Sequence, residues 1–93
     1  MNVNDLTILR NEFSLLEGEH FKVVNKYIMG VIEVSDIEHF KICLERFRNK
    51  LYSIETNDEN IMEIAKMKSK VQHYNTEVLE DEDFLRMAYG NVN

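Results

Sequence analysis

The chain has few of the residues that interrupt helices or cross-link a fold. Its 93 residues include no proline, no tryptophan, three glycines and one cysteine, Cys43. Without proline nothing in the sequence forces a helix to kink, and a single cysteine excludes a disulfide within the chain. Stability must therefore come from packing or from association with a partner chain.

A long apolar run and an excess of positive charge are also lacking. No stretch approaches the roughly 20 apolar residues that cross a bilayer, and no secretory leader pattern is present, so we expect a cytoplasmic protein without membrane contact. The net charge of −6 arises from 17 acidic and 11 basic side chains, with acids concentrated in residues 80–83. This balance disfavours nonspecific binding to nucleic acid.

What the chain does contain is enough apolar surface to fold. A composition with 44% apolar residues predicts one domain over residues 1–93. Residues 91–93 are expected to be frayed. Such a small domain buries only about 60–65% of its unfolded surface, which favours self-association. The bias towards asparagine, lysine and isoleucine is typical of an AT-rich genome, such as that of a low-GC bacterium or a phage.

Apolar side chains recur every three or four positions, as in amphipathic helices. A first helix ends at Glu17-Gly18 in this prediction, and a second runs from Glu19 to Val34. Their apolar stripes are Leu6, Leu9, Phe13 and Leu16, then Phe21, Val24, Ile28 and Val31. Gly30 and the β-branched residues leave a hairpin over residues 20–34 as the alternative, with its turn at Asn25-Lys26.

The second half of the chain has the clearer helical pattern. A capping box of Ser35 and Glu38 predicts a helix over 35–54. Its apolar positions follow steps of three and four, at Ile37, Phe40, Leu44, Phe47, Leu51 and Ile54. Turn residues at 56–58 precede a fourth helix that extends to about Val78. A short helix ends at Gly90. The predicted class is all-α, a small antiparallel bundle of four main helices plus a short C-terminal helix. The alternative is an α+β fold with the hairpin.

Residues that could carry chemistry occur in incomplete sets. Glu17 and His20 have the Glu-x-x-His spacing of carboxylate-bridged metal sites, but the motif has no second copy. His39 and Cys43 lie four apart, yet the sequence locates neither an orienting acid nor further zinc ligands. Asp81, Glu82 and Asp83 lack the pattern of a calcium loop. We therefore predict no catalytic residue, no cofactor and no metal.

Apolar residues outside the core stripes predict an interaction surface instead. Methionine and tyrosine are favoured where a surface adapts to a partner. The candidate interface residues are Tyr27, Met29, Ile42, Tyr52 and Met62. The expected function is a non-enzymatic helical interaction module, a regulator or inhibitor that binds a partner protein or forms a homodimer.

A helix-turn-helix regulator is the alternative function. Gly30 would end one helix, and residues 35–54 would form the recognition helix, with Lys41, Arg46, Arg48 and Lys50 on DNA phosphates. Against this alternative, the first turn of that helix carries Asp36, Glu38 and His39, where base-reading side chains usually lie.

Overall fold

A computed structural model describes residues 3–90, with side chains described from residue 5 onward. The elements are α1 (Val3–Ile28), α2 (Val34–Ser53), α3 (Ile61–Tyr74), a π-helical turn (Asn75–Leu79) and α4 (Glu82–Gly90). The all-α class is confirmed, and residues 3–90 contain no strand, which excludes the hairpin over 20–34. The expected fraying of residues 91–93 lies outside the described residues.

The predicted break at Glu17-Gly18 is wrong, because α1 continues through it as one helix of 26 residues. Its buried stripe runs without interruption across Gly18, through Leu9, Leu16 and Val23 at intervals of seven residues. Burying each of these side chains contributes about 1.5–3 kcal/mol, which outweighs the roughly 0.5–1 kcal/mol that glycine costs inside a helix.

The apolar stripe expected for residues 19–34 is also partly wrong. Phe21 and Ile28 are 66% and 76% exposed, whereas Val23 and Ile32 are buried. Half-buried His20 takes the core-facing position between Leu16 and Val23, with its ring stacked on Tyr74 at 4.0 Å between centroids. Because this core-facing position holds a histidine, a count of apolar residues alone did not identify the buried stripe.

The helix ends at Ile28, earlier than Val34, because Gly30 adopts φ = +74°. The Gly30 N–H donates to the carbonyl of Tyr27 and the Val31 N–H donates to that of Lys26, at 3.0 and 2.9 Å. This pair of bonds is the Schellman motif, in which a left-handed residue closes the last helical turn.

The start of α2 differs from the predicted Ser35–Glu38 capping box by two residues. The helix begins at Val34 with Glu33 as its N-cap, and the Glu33 N–H donates to the Asp36 carboxylate at 2.9 Å. One face of α2 then enters the core through Ile37, Phe40, Leu44, Phe47 and Leu51, as the periodicity predicted.

The connection to α3 is organised by two asparagines. The Asn57 side-chain oxygen accepts hydrogen bonds from the N–H groups of Glu59 and Asn60, at 2.8 and 3.0 Å. The buried Asn60 side chain accepts from the Asn57 N–H and donates to the Glu55 carbonyl. These bonds satisfy the polar backbone of the turn, so it can pack close to the core.

After α3 the backbone widens into the π-helical turn, where the Glu80 N–H donates to the Asn75 carbonyl five residues earlier. Val78 in this turn is fully buried. α4 then begins behind Asp81, whose carboxylate accepts the Phe84 N–H at 2.9 Å. The C-terminal acids thus lie at the N-terminus of α4, and negative charge is favourable at the N-terminus of a helix.

Candidate functional site

Two ion pairs and one histidine–carboxylate contact join α1 to α2 along one edge. Glu12, Glu19 and Lys26 occupy positions seven residues apart on α1, so they share one face of the helix. They pair with Lys50, His39 and Asp36 on α2, at 2.5, 3.2 and 2.8 Å. From Glu12 to Lys26 along α1, the contacted residue moves back along α2 from Lys50 to Asp36. Along this edge the two helices therefore contact each other with opposite chain directions.

The middle contact, between Glu19 and His39, belongs to a cluster of three chemically different side chains. His39 Nε2 lies 3.2 Å from Glu19 Oε2 and 3.6 Å from Cys43 Sγ. All three ligand-type atoms lie within 4.8 Å of one another. The spacing of His39 and Cys43 places them one helical turn apart on α2, and α1 supplies the acid that the sequence did not locate.

The cluster does not have the geometry of a catalytic triad. A triad histidine contacts its nucleophile through one ring nitrogen and its orienting acid through the other. Here the thiol and the carboxylate both approach Nε2. The imidazole therefore cannot take a proton from Cys43 while that same nitrogen donates to Glu19.

Electrostatics also argue against an activated nucleophile. Burial, and then the negative charge of Glu19, raise the pKa of the Cys43 thiol, while Arg46 and Lys22 oppose the shift. Reactive cysteines have a lowered pKa, because the thiolate is the attacking species. At neutral pH Cys43 is thus a thiol.

The cluster opens into a groove along the outer face of α1 and α2, with a volume of about 870 Å³. Its floor includes Leu16 and Phe47, and its lining comes only from α1 and α2, so α3 and α4 leave it uncovered. Leu15 lies beside this floor with 71% of its surface exposed. We call this surface the α1–α2 groove.

The groove is lined by opposite charges on its two sides. α1 contributes Glu12 and Glu19, and α2 contributes Arg46 and Lys50. Lys50 is paired with Glu12, whereas Arg46 has no ion-pair partner among residues 5–90.

The five residues predicted as an interface are distributed over α1, the turn after it, α2 and α3. Tyr27 is half-buried, and its ring packs on Phe84 at 4.4 Å between centroids, so it belongs to the edge of the core. Met29 is exposed just after α1, Ile42 and Tyr52 are exposed on α2, and Met62 is exposed on α3. The Lys68 ammonium lies over the Tyr52 ring at 4.6 Å.

The four basic residues predicted for DNA contact divide between different surfaces. Arg46 and Lys50 line the α1–α2 groove, Arg48 lies beside Tyr52 and Glu80, and Lys41 lies near Glu38 and Glu45. They do not form one basic stripe, which a phosphate backbone would require.

Glu17 and His20 do not lie together as the metal-binding pair that their spacing suggested. Glu17 is exposed, and His20 faces the end of α3 and the π-helical turn, where its Nε2 lies 3.3 Å from Glu77 Oε1 without hydrogen-bonding geometry. Burial lowers the pKa of His20, although Glu77 acts in the opposite direction. Histidine at this position is a packing residue.

Comparisons with known proteins identify no relative of this chain. No protein-family model, curated protein or solved structure matches the chain. Among the described residues no helix is both long and apolar enough to cross a membrane.

Proposed function

We propose that this chain is a non-enzymatic protein-interaction module of the cytoplasm, a small antiparallel helical bundle that regulates or inhibits its target. Its working form is a homodimer joined through the α1–α2 groove. The observation that carries the proposal is Leu15, a large apolar side chain that is 71% exposed at the edge of this groove, above the buried floor residues Leu16 and Phe47. Leu15 is surrounded by charged groove residues, and a partner that covers the groove would bury it.

The charges around the groove favour a second copy as its occupant. A two-fold axis brings the same surface of both copies together. Because acids lie on the α1 side and bases on the α2 side, such an axis can place Glu12 of one copy opposite Arg46 of its partner. The unpaired Arg46 then gains an acidic neighbour.

The size of the face is adequate for a dimer. A helix of 26 residues is about 39 Å long, and two neighbouring helices are about 20 Å wide. α2 has 20 residues and is about 30 Å long, so the outer face of the two helices offers about 700 Å² per copy, which is close to the area of a typical stable interface. Burial of Leu15 alone contributes about 1.5–3 kcal/mol.

The oligomeric state of two matched variants tests the proposal. Leu15→Lys places a charge beside the groove floor, whereas Phe21→Lys changes an equally exposed residue that points about 120° away around α1. Light scattering behind a sizing column should give twice the chain mass of 11.1 kDa for the native protein and Phe21→Lys. Leu15→Lys should elute as a monomer with unchanged circular dichroism.

Two further variants separate the groove from the surface residues predicted from the sequence. Tyr52→Lys and Met62→Lys should leave the dimer intact under this proposal. Dissociation by either of them, with Leu15→Lys still dimeric, would place the interface elsewhere. A native chain that stays monomeric at every concentration tested would overturn the homodimer.

A further inference from the structure

The cluster of Glu19, His39 and Cys43 is not explained by the docking role of the groove. An apolar floor and opposite charges are sufficient for a dimer, and a thiol adds nothing to either. The three side chains come from two helices and bring an oxygen, a nitrogen and a sulfur atom within 4.8 Å of one another.

The two contacts to His39 share one ring nitrogen. A neutral imidazole carries one proton, so Nε2 either donates to the Glu19 carboxylate or accepts from the Cys43 thiol. The contact with Cys43 at 3.6 Å has hydrogen-bonding geometry, whereas Glu19 Oε2 lies 3.2 Å from Nε2 without a hydrogen bond. A cation between the three atoms would accept a lone pair from each of them.

The distances match the edges of a zinc tetrahedron. With Zn–N and Zn–O bonds of about 2.0–2.1 Å and a Zn–S bond of about 2.3 Å, tetrahedral angles give edges of about 3.6 Å for N···S and about 3.3 Å for N···O. The corresponding distances from His39 Nε2 are 3.6 and 3.2 Å. The remaining pair, Glu19 and Cys43, lies within 4.8 Å and requires a shift of little more than about 1 Å.

We propose that Glu19 Oε2, His39 Nε2 and Cys43 Sγ bind one Zn²⁺ ion, whose fourth position opens into the α1–α2 groove. The other carboxylate oxygen of Glu19 is turned to Lys22 Nζ, at 3.4 Å, which leaves Oε2 available. The thiol releases its proton to solvent on binding, and the resulting thiolate and the carboxylate together balance the charge of the ion.

The ligand set selects the type of metal. Magnesium and calcium take oxygen ligands, whereas a site with imidazole and thiolate suits zinc. Three protein ligands with one open position are the arrangement found where zinc binds a further molecule. A donor atom entering the groove, such as a water or a side chain of the docked partner, completes the tetrahedron.

Metal titration of the full chain tests this site. After treatment with a chelator, calorimetric titration with Zn²⁺ should show saturable binding of one ion per chain. Co²⁺ should give the sulfur-to-metal charge-transfer absorption and the intense visible bands of tetrahedral cobalt. Absence of saturable zinc binding at one equivalent would overturn the proposal.

Conservative variants assign the ligands. Cys43→Ser should abolish the charge-transfer absorption, and Glu19→Gln or His39→Gln should weaken zinc binding by at least about tenfold, since even outer partners of metal ligands contribute that much. The control is His73→Gln, because His73 also pairs with a carboxylate, Glu77 at 2.8 Å, but has no thiol beside it. Zinc affinity that is unchanged in Cys43→Ser would exclude the site.

The zinc site and the homodimer can be tested separately. Leu15→Lys alters none of the three ligands, so a monomeric Leu15→Lys chain should still bind one Zn²⁺. Circular dichroism of each metal-free variant establishes that the helices persist, which is expected because Glu19, His39 and Cys43 all lie outside the buried core.

Discussion

Gly18 and Gly30 have opposite effects on α1, because only Gly30 has a positive φ. Gly18 lies in the middle of the helix, and a Cβ added there meets no atom within 4 Å. Gly30 has as much space but a left-handed backbone at +74°, which side chains other than glycine rarely adopt.

Alanine at these two positions should therefore change the free energy of unfolding in opposite directions. Gly18→Ala should stabilise the protein by about 0.5–1 kcal/mol, because alanine loses less backbone entropy in a helix. Gly30→Ala should destabilise it by about 1–2 kcal/mol through left-handed strain. Urea unfolding followed by circular dichroism measures both, and destabilisation by Gly18→Ala would contradict a continuous α1.

Glu19 is the site residue that sequence reasoning missed. His39 and Cys43 were recognised as a pair because they lie four apart on one helix, but their third partner is 20 residues from His39 in the chain. The charged residues at 12, 19 and 26 recur every seven positions, and this was the available signal. It could be interpreted only with α1 as a single helix, and the predicted break at Gly18 removed that possibility.

At the scale of the element, Asp36 rather than Ser35 organises the start of α2. Its carboxylate accepts the Glu33 N–H at 2.9 Å and the Lys26 ammonium at 2.8 Å, and so connects the start of α2 to the last turn of α1. Burial alone would raise the pKa of Asp36, but these two hydrogen bonds hold it below its ordinary value.

Asp36→Ala should lower the free energy of unfolding by about 1 kcal/mol, as loss of a helix cap does, whereas Ser35→Ala should change it by less than about 0.5 kcal/mol. Because folding lowers the pKa of Asp36, its stabilisation is present above the unfolded pKa of about 3.9 and is lost as the pH falls through the folded value. Unfolding curves at neutral and acid pH should show the gap between Asp36→Ala and native protein closing in acid. Equal losses for the serine and aspartate variants would instead support the Ser35 cap.

At the scale of the whole molecule, a narrow core supports an elongated shape. The principal dimensions are 50 × 19 × 18 Å, and the radius of gyration of 14.8 Å exceeds the roughly 12 Å expected for a compact chain of this length. Phe40 is fully buried at the centre of this core, where its ring lies near those of His20 and Tyr74. It connects three helices.

Phe40→Ala should therefore destabilise all the helices together, by about 3–5 kcal/mol, out of a total of about 5–15 kcal/mol for a domain. Phe21→Ala is the matched control, since both residues were assigned to core stripes from the sequence but Phe21 is exposed. Its effect should stay within about 0.5 kcal/mol. Thermal unfolding by circular dichroism compares the two, and similar losses in both variants would contradict this core.

The sequence by itself determined the helical class and the buried face of α2, because the absence of proline and the three-to-four spacing act locally along the chain. The leading prediction carried the second helix to Val34, whereas the left-handed backbone of Gly30 ends α1 at Ile28. Tertiary structure decided that α1 runs through Gly18, because burial against α2 and α3 outweighs a weak local preference for a break. It alone brought Glu19 to His39 and Cys43, since that contact depends on how two helices align.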